Sequence, residues 1–283
     1  MREFYERFYA AVPSSPVHAL FCQRAFGLDL GQHGFADLAQ LDVLVEATDM
    51  RAGWRVLDLG CGDGRIAEFL SDRTGAHLTG LDYVPEAIRL ARQRTAAKAD
   101  RLAFCVGDLN ALDLPSGEFD AILSIDTIYF SQDYTRTIGQ LATALHPGGR
   151  MAFLYSYGWE PGSPPEAFDV TTLPAERTPL AEALRAHGLD FHTQDWTAAD
   201  CRLARSRRRI LEELEPRFRA EGLDFVYENR LGEARGIARG CDLGLHRRYL
   251  FCTDSSSRRA SQDQQEAAPL RLTGPSRPSL GRG

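Results

Sequence analysis

The sequence predicts an α/β protein built on a mainly parallel sheet, and three observations predict it. An apolar, strand-like run from Trp54 to Leu59 leads straight into Gly60-Cys61-Gly62-Asp63-Gly64. From Arg65 to Leu70 a helical pattern begins, with Ile66, Phe69 and Leu70 on one face. Further short apolar runs recur with helical stretches between them, the rhythm of strands buried on both faces by crossover helices. The glycines suit a loop that presses its backbone against a ligand, because a residue without a Cβ takes positive φ readily. The helix start behind them offers unpaired N–H donors to an anionic group.

Each element follows in order. His77-Leu78-Thr79-Gly80-Leu81-Asp82 reads as a second strand ending in an acid, and Leu102 to Leu109 as a third that closes on Gly107-Asp108. Phe119 to Asp126 is a fourth, and Leu145-His146-Pro147-Gly148-Gly149-Arg150 is a turn leading into a fifth, Met151 to Tyr157. Gly158 to Pro174 is rich in Gly and Pro and reads as a loop. Thr178-Pro179 caps a helix over 180–186, with Pro at its first position. Leu189 to Trp196 alternates as a sixth strand, Thr197 caps a helix over 198–220, a second helix runs over 233–242, and Arg247 to Cys252 is the last strand. At the N-terminus, Phe4, Tyr5, Phe8 and Tyr9 lie at helical spacing, and Pro13-Ser14-Ser15-Pro16 ends that helix. A further helix is expected over 36–47.

Spacing selects the ligand. A dinucleotide fingerprint G-x-G-x-x-G, counted from Gly60 and Gly62, needs a third glycine where Arg65 stands. Gly60, Gly62 and Gly64 behind Asp58 instead resemble motif I, E/D-x-G-x-G-x-G, of the class I S-adenosylmethionine-dependent methyltransferases. Four matches in order between Trp54 and Tyr157 carry the resemblance: the glycine loop, the acid ending strand two, the Gly-Asp ending strand three and the Pro-Gly-Gly turn. It implies a Rossmann-like seven-stranded sheet of order 3-2-1-4-5-7-6 with strand 7 antiparallel and helices on both faces. It also implies an N-terminal helical lid over 1–50 and a helical substrate cover inserted over 197–245, within a methyltransferase domain over 1–253. The cofactor implied is S-adenosyl-L-methionine, held by Asp58, Gly60, Cys61, Gly62, Gly64, Asp82, Tyr83, Asp108, Leu109 and Asp126. Asp82 is the acceptor for the ribose hydroxyls, and Asp108 with Leu109 frames the adenine.

The resemblance points to the small-molecule branch, similar to ubiquinone, menaquinone, sterol and sarcosine methyltransferases. Such chemistry needs an acceptor brought in line with an activated methyl group, and a base where the acceptor holds a proton. Candidate catalytic residues are Asp126, Tyr129, His33 and Glu228. Tyr155, Tyr157 and Tyr227 are candidates for the acceptor pocket. Each has a plain structural role open to it as well, whether core packing for the tyrosines or solvent exposure for Glu228.

Composition sets the bounds. The chain has 283 residues, 43% hydrophobic content and a net charge of −6, which argues against a nucleic-acid partner. Arg202, Arg205, Arg207, Arg208 and Arg209 cut the other way, but they read as a solvated helix face paired with Glu212 and Glu213. A nucleic-acid methyltransferase and a non-catalytic binding module therefore stand as alternatives. The six cysteines are scattered without a C-x-x-C pair, so neither a metal site nor a disulfide framework is expected. No apolar run reaches membrane-spanning length and no signal peptide is evident, so a cytoplasmic monomer or homodimer is expected. Residues 254–283 lack the aliphatic side chains to order themselves and are expected to be a disordered tail.

Overall fold

A computed structural model describes residues 2–253; the expected tail lies outside the described residues. Seven strands form one sheet: β1 (Arg55–Leu59), β2 (His77–Asp82), β3 (Leu102–Val106), β4 (Phe119–Ile125), β5 (Leu145–Gly158), β6 (Phe191–Asp195) and β7 (His246–Thr253). Their order is β3-β2-β1-β4-β5-β7-β6. The first five strands run parallel, while β7 pairs antiparallel with both β5 and β6. This is the order and polarity the sequence led us to expect.

The helices are α1 (Arg2–Ala11), α2 (Pro16–Phe26), α3 (Leu38–Thr48), α4 (Arg65–Thr74), α5 (Pro85–Arg94), α6 (Tyr134–Ala144), α7 (Pro179–Ala186), α8 (Thr197–Ala220) and α9 (Asp224–Asp242). Strand alternation distributes the core over two faces. Val56, Ala121 and Leu123 turn toward Leu41, Leu44, Leu70 and Ile88 of α3, α4 and α5. Leu57, Ile122 and Phe153 turn toward Ile138, Leu141, Leu180 and Leu184 of α6 and α7. A third core joins Phe8, Phe21 and Phe26 to Leu211, Leu214 and Phe218, so the N-terminal helices and the insertion between β6 and β7 pack as one body above the sheet.

Several expectations need correction. Pro13-Ser14-Ser15-Pro16 ends α1 as expected, and a helix not foreseen in the sequence follows at once: Ser15 caps α2, its Oγ accepting from His18 N and donating to Glu221 Oε2 at 2.6 Å. Thr197 does not cap α8; its Oγ accepts from the backbone N–H of Arg248 at 3.0 Å, tying the start of α8 to β7. The second helix of the insertion begins at Asp224, nine residues before the expected Glu233. Arg207 is not on a solvated face but fully buried, stacked on Phe35 and 3.3 Å from Glu233. Cys201 and Cys241 form a disulfide that ties the second turn of α8 to the last turn of α9, against the expectation of none. Two cysteines forty positions apart carry no local spacing signal; only the antiparallel return of α9 on α8 brings them together.

Candidate active site

One cavity of about 1230 Å³ opens above the carboxyl ends of the parallel strands and passes under the N-terminal helices and the insertion. At one end lies the glycine loop. Gly60, Gly62 and Gly64 all have positive φ, the left-handed geometry that glycine adopts without steric cost. A Cβ on Gly62 would collide with the Tyr9 hydroxyl, so α1 closes directly over the loop. The Asp82 carboxylate closes β2 and is already oriented: Oδ2 accepts from Gly62 N and Oδ1 from Val84 N, both at 2.9 Å. Each oxygen retains a lone pair for a ligand hydroxyl.

Asp58 is 2% exposed, lines the cavity and has no hydrogen-bond partner among the described residues. Burial, then the charge of nearby Asp82, pushes its carboxyl up to about 7. Two buried acids with no cation between them fit a ligand that brings positive charge, as a sulfonium amino acid does. Beyond β2, Tyr83, Asp108 and Leu109 line the same end of the cavity, and the Asp108 carboxylate accepts from Asn110 N at 2.8 Å. Asp58, Gly60, Cys61, Gly62, Asp82, Tyr83, Asp108, Leu109 and Asp126 thus share one hollow. Gly64 sits just behind it, and a Cβ there would strike Phe104 and Ala91. The residues present fit S-adenosyl-L-methionine.

The other end of the cavity is aromatic. Tyr5, Tyr129, Tyr155, Tyr157 and Trp159 line it. His33 enters from the loop before α3, in edge contact with the rings of Phe4, Tyr5 and Phe8. Its Nε2 lies 3.2 Å from Asn229 Oδ1 and 3.7 Å from Glu233 Oε1. Burial, then the charge of Arg230, holds this imidazole well below its usual pKa, so it stays neutral near pH 7. Glu233 is held between Arg207 and Arg230, while Arg230 donates to the carbonyls of Gln32 and His33 and fixes the loop.

Other sequence candidates take different roles. Asp126 lines the cavity at φ +55°, but its carboxylate is occupied by Arg248 and by Phe35 N, the latter at 2.7 Å. It anchors the His33 loop to the sheet. Glu228 does not reach the site: its side chain is 63% exposed and lies 3.6 Å from Arg219. Tyr227 is buried, but its hydroxyl donates to Glu215 rather than lining the cavity. Because α9 starts at Asp224, helical phase turns Asn229, Gly232, Glu233 and Gly236 to the cavity, the residues the sequence reading missed. Their spacing of i, i+3, i+4, i+7 was the available signal.

Residues 56–149 match a family model described as a methyltransferase domain. The matched segment runs from β1 into β5 and holds the glycine loop, Asp82 and Asp108. Among curated proteins, the chain is 34% identical to methyltransferase GfsG of Streptomyces halstedii over 111 residues, 38% of this chain and 40% of that protein. It is 34% identical to demethylmenaquinone methyltransferase of Thermus thermophilus over 120 residues, 42% of this chain and 54% of that protein. The chain thus spans about two fifths to one half of the length of these relatives. Phosphoethanolamine N-methyltransferase 2 of Haemonchus contortus, solved with phosphomonomethylethanolamine and S-adenosylhomocysteine, shares the fold with a TM-score of 0.69 at 18% identity, over 88% of this chain and 60% of that one.

Proposed function

We propose that this protein is an S-adenosylmethionine-dependent methyltransferase acting on a small organic molecule. The observation that carries the reading is the unpartnered, buried Asp58 beside Asp82 at the mouth of a glycine loop, in a cavity that runs on into an aromatic chamber. When bound, the cofactor supplies an activated methyl group. Asp58 meets its positive charge, Asp82 takes the ribose hydroxyls, and Asp108 with Leu109 borders the base. Residues 1–50 and 197–245 act as lid and cover, excluding water from the chamber.

His33, neutral and inside the chamber, is the group that takes a proton from an acceptor at its imidazole. Tyr129, which lines the same cavity, positions the acceptor. Asp126 works through Arg248 and Phe35 rather than on the acceptor.

The nucleic-acid alternative draws little support. Arg207 is buried, Arg205 pairs with Asp242 and Arg208 with Glu212, and none of the five clustered arginines lines the cavity. No helix among the described residues is long and apolar enough to cross a membrane. The reading is tested by calorimetry with S-adenosylhomocysteine. Binding is expected, and Asp82→Ala should weaken it at least tenfold, since hydrogen bonds to charged groups contribute about 1.5–3 kcal/mol. Absence of binding by the unaltered protein sinks the reading.

A further inference from the structure

The loop that carries His33 touches the cofactor hollow on two sides. A Cβ on Gly31 would lie 3.2 Å from Cδ of Arg65, the first residue of α4, and one on Gly34 would lie 2.8 Å from Asp126 Oδ2, just past β4. Arg230 grips the carbonyls of Gln32 and His33, and Asp126 accepts from Phe35 N. His33 is therefore held where the hollow meets the chamber, on backbone fixed before and after it.

The two ring nitrogens of His33 face different surroundings. Nε2 points to α9, 3.2 Å from Asn229 Oδ1 and 3.7 Å from Glu233 Oε1. Nδ1 has no hydrogen-bond partner among the described residues, and unlike the orphaned Nε atoms of Arg207 and Arg230 it is not sealed from the cavity that His33 lines. Asn229 and Glu233 stand about one helical turn apart, so they share a face of α9. Glu233 divides its carboxylate: Oε2 is the oxygen nearest Arg207, at 3.3 Å, and Arg230, at 3.6 Å, while Oε1 is the one nearest the imidazole. A carboxylate only accepts, so the ring nitrogen set against two acceptor oxygens is the one that carries the hydrogen.

We propose that Asn229 and Glu233 are the positioning residues of the base: they hold His33 as the Nε2–H tautomer, leave Nδ1 to take the acceptor's proton, and balance the resulting imidazolium through Glu233 Oε1. In that step the acceptor–hydrogen bond breaks, the Nδ1–H bond forms, and the electron pair stays on the acceptor atom. The surroundings show why a balancing charge is needed. Burial opposes an imidazolium here, and so do Arg230 of α9, Arg207 of α8 and His18 of α2, while the bond to Asn229 favours it. Tyr5 of α1 meets the ring edge-on, and burial followed by Glu233 keeps its phenol protonated. Against these cations, Glu233 brings negative charge within ion-pair reach of the ring. The inference rests on the methyltransferase reading, which supplies the acceptor.

The test uses the whole chain and needs no acceptor. With isotope-labelled histidine read by nitrogen NMR, and the His33 signals identified by their loss in His33→Gln, Nε2 should be protonated and Nδ1 bare at pH 7. Asn229→Leu should reduce the excess of that tautomer about tenfold, the worth of one hydrogen bond, and Asn229→Asp should restore it. A second arm reads the charge balance. Attack of Nδ1 on diethyl pyrocarbonate leaves positive charge on the ring, so the rate of His33 acylation at pH 7, followed by peptide mass spectrometry, should fall about tenfold in Glu233→Gln. Loosening of the loop alone would speed that reaction, because the imidazole is already neutral. Each Asn229 and Glu233 variant should keep its affinity for S-adenosylhomocysteine, which reports an intact fold. An Nδ1–H tautomer, a tautomer indifferent to Asn229, or acylation not slowed in Glu233→Gln overturns the role and leaves the methyltransferase reading standing. If S-adenosylhomocysteine does not bind the unaltered protein, both fall.

Discussion

Arg248 of β7 is fully buried and grips both carboxylate oxygens of Asp126, joining the end of β4 to a strand 122 positions later in the chain. The same guanidinium donates to Ser156 Oγ and Gln40 Oε1, each at 2.9 Å. Removing one partner of a buried ion pair strands the other charge, which costs about 3–5 kcal/mol. Arg248→Met should therefore lower unfolding free energy by about that amount in urea titration. Adding Asp126→Asn, which keeps a residue tolerant of positive φ, should recover a large part of it.

Asp58 makes stability and binding depend on pH in opposite senses. Its folded carboxyl holds a proton up to about 7, whereas an unfolded aspartate releases it near 3.9. The folded state thus binds more protons between those values, so its contribution to stability is full below about pH 4 and is lost as pH rises toward 7, by at most about 1.4 kcal/mol per pH unit. A cationic ligand favours the ionised acid, so affinity for S-adenosyl-L-methionine should rise through pH 7 with proton release. Asp58→Asn should flatten both profiles, measured by thermal melts from pH 4 to 8 and by calorimetry in buffers of different ionisation enthalpy.

Reducing the Cys201–Cys241 bond frees a loop of forty residues that holds both cover helices. Loop-closure entropy gives the cross-link about 4 kcal/mol of stabilisation. Cys201→Ser should lower the melting temperature and, under native conditions, speed hydrogen exchange in α8 and α9 more than in the sheet. Equal exchange in both forms would contradict the assignment.

Gly62 and Tyr9 should be coupled. Gly62→Ala introduces a Cβ at φ +57° and drives it into the Tyr9 hydroxyl, so both backbone strain and contact lower cofactor affinity. Tyr9→Phe in the same chain should restore part of that affinity, the part due to contact. A double mutant no better than the single one would show that α1 does not close on the loop.

The glycine hollow was legible because its signals are local: an apolar run, a glycine spacing, an acid at a strand end; the sheet order came only through the family resemblance that those signals carry. Asp58, Gly62 and Asp82 are within twenty-five residues of each other. The acceptor side was not legible in the same way. Glu228 looked promising as part of a polar run, but the fate of a helical side chain depends on phase, and phase depends on where α9 begins. Arg207 looked like one of five solvated charges; its burial follows from Phe35 and Glu233, 172 and 26 positions away, which no window on α8 contains. His33 was found by its loop, but its neutrality comes from burial first and then from Arg230, 197 positions away.

The last strand among the described residues is not an edge. Because β7 lies between β5 and β6, the segment Phe191–Asp195 has no neighbour to pair with until His246–Thr253 has been made. Until then Asp126 also lacks its guanidinium. On a ribosome, β6, β7 and the two helices between them would thus assemble in a single late event, after the glycine loop and the first five strands have had time to form.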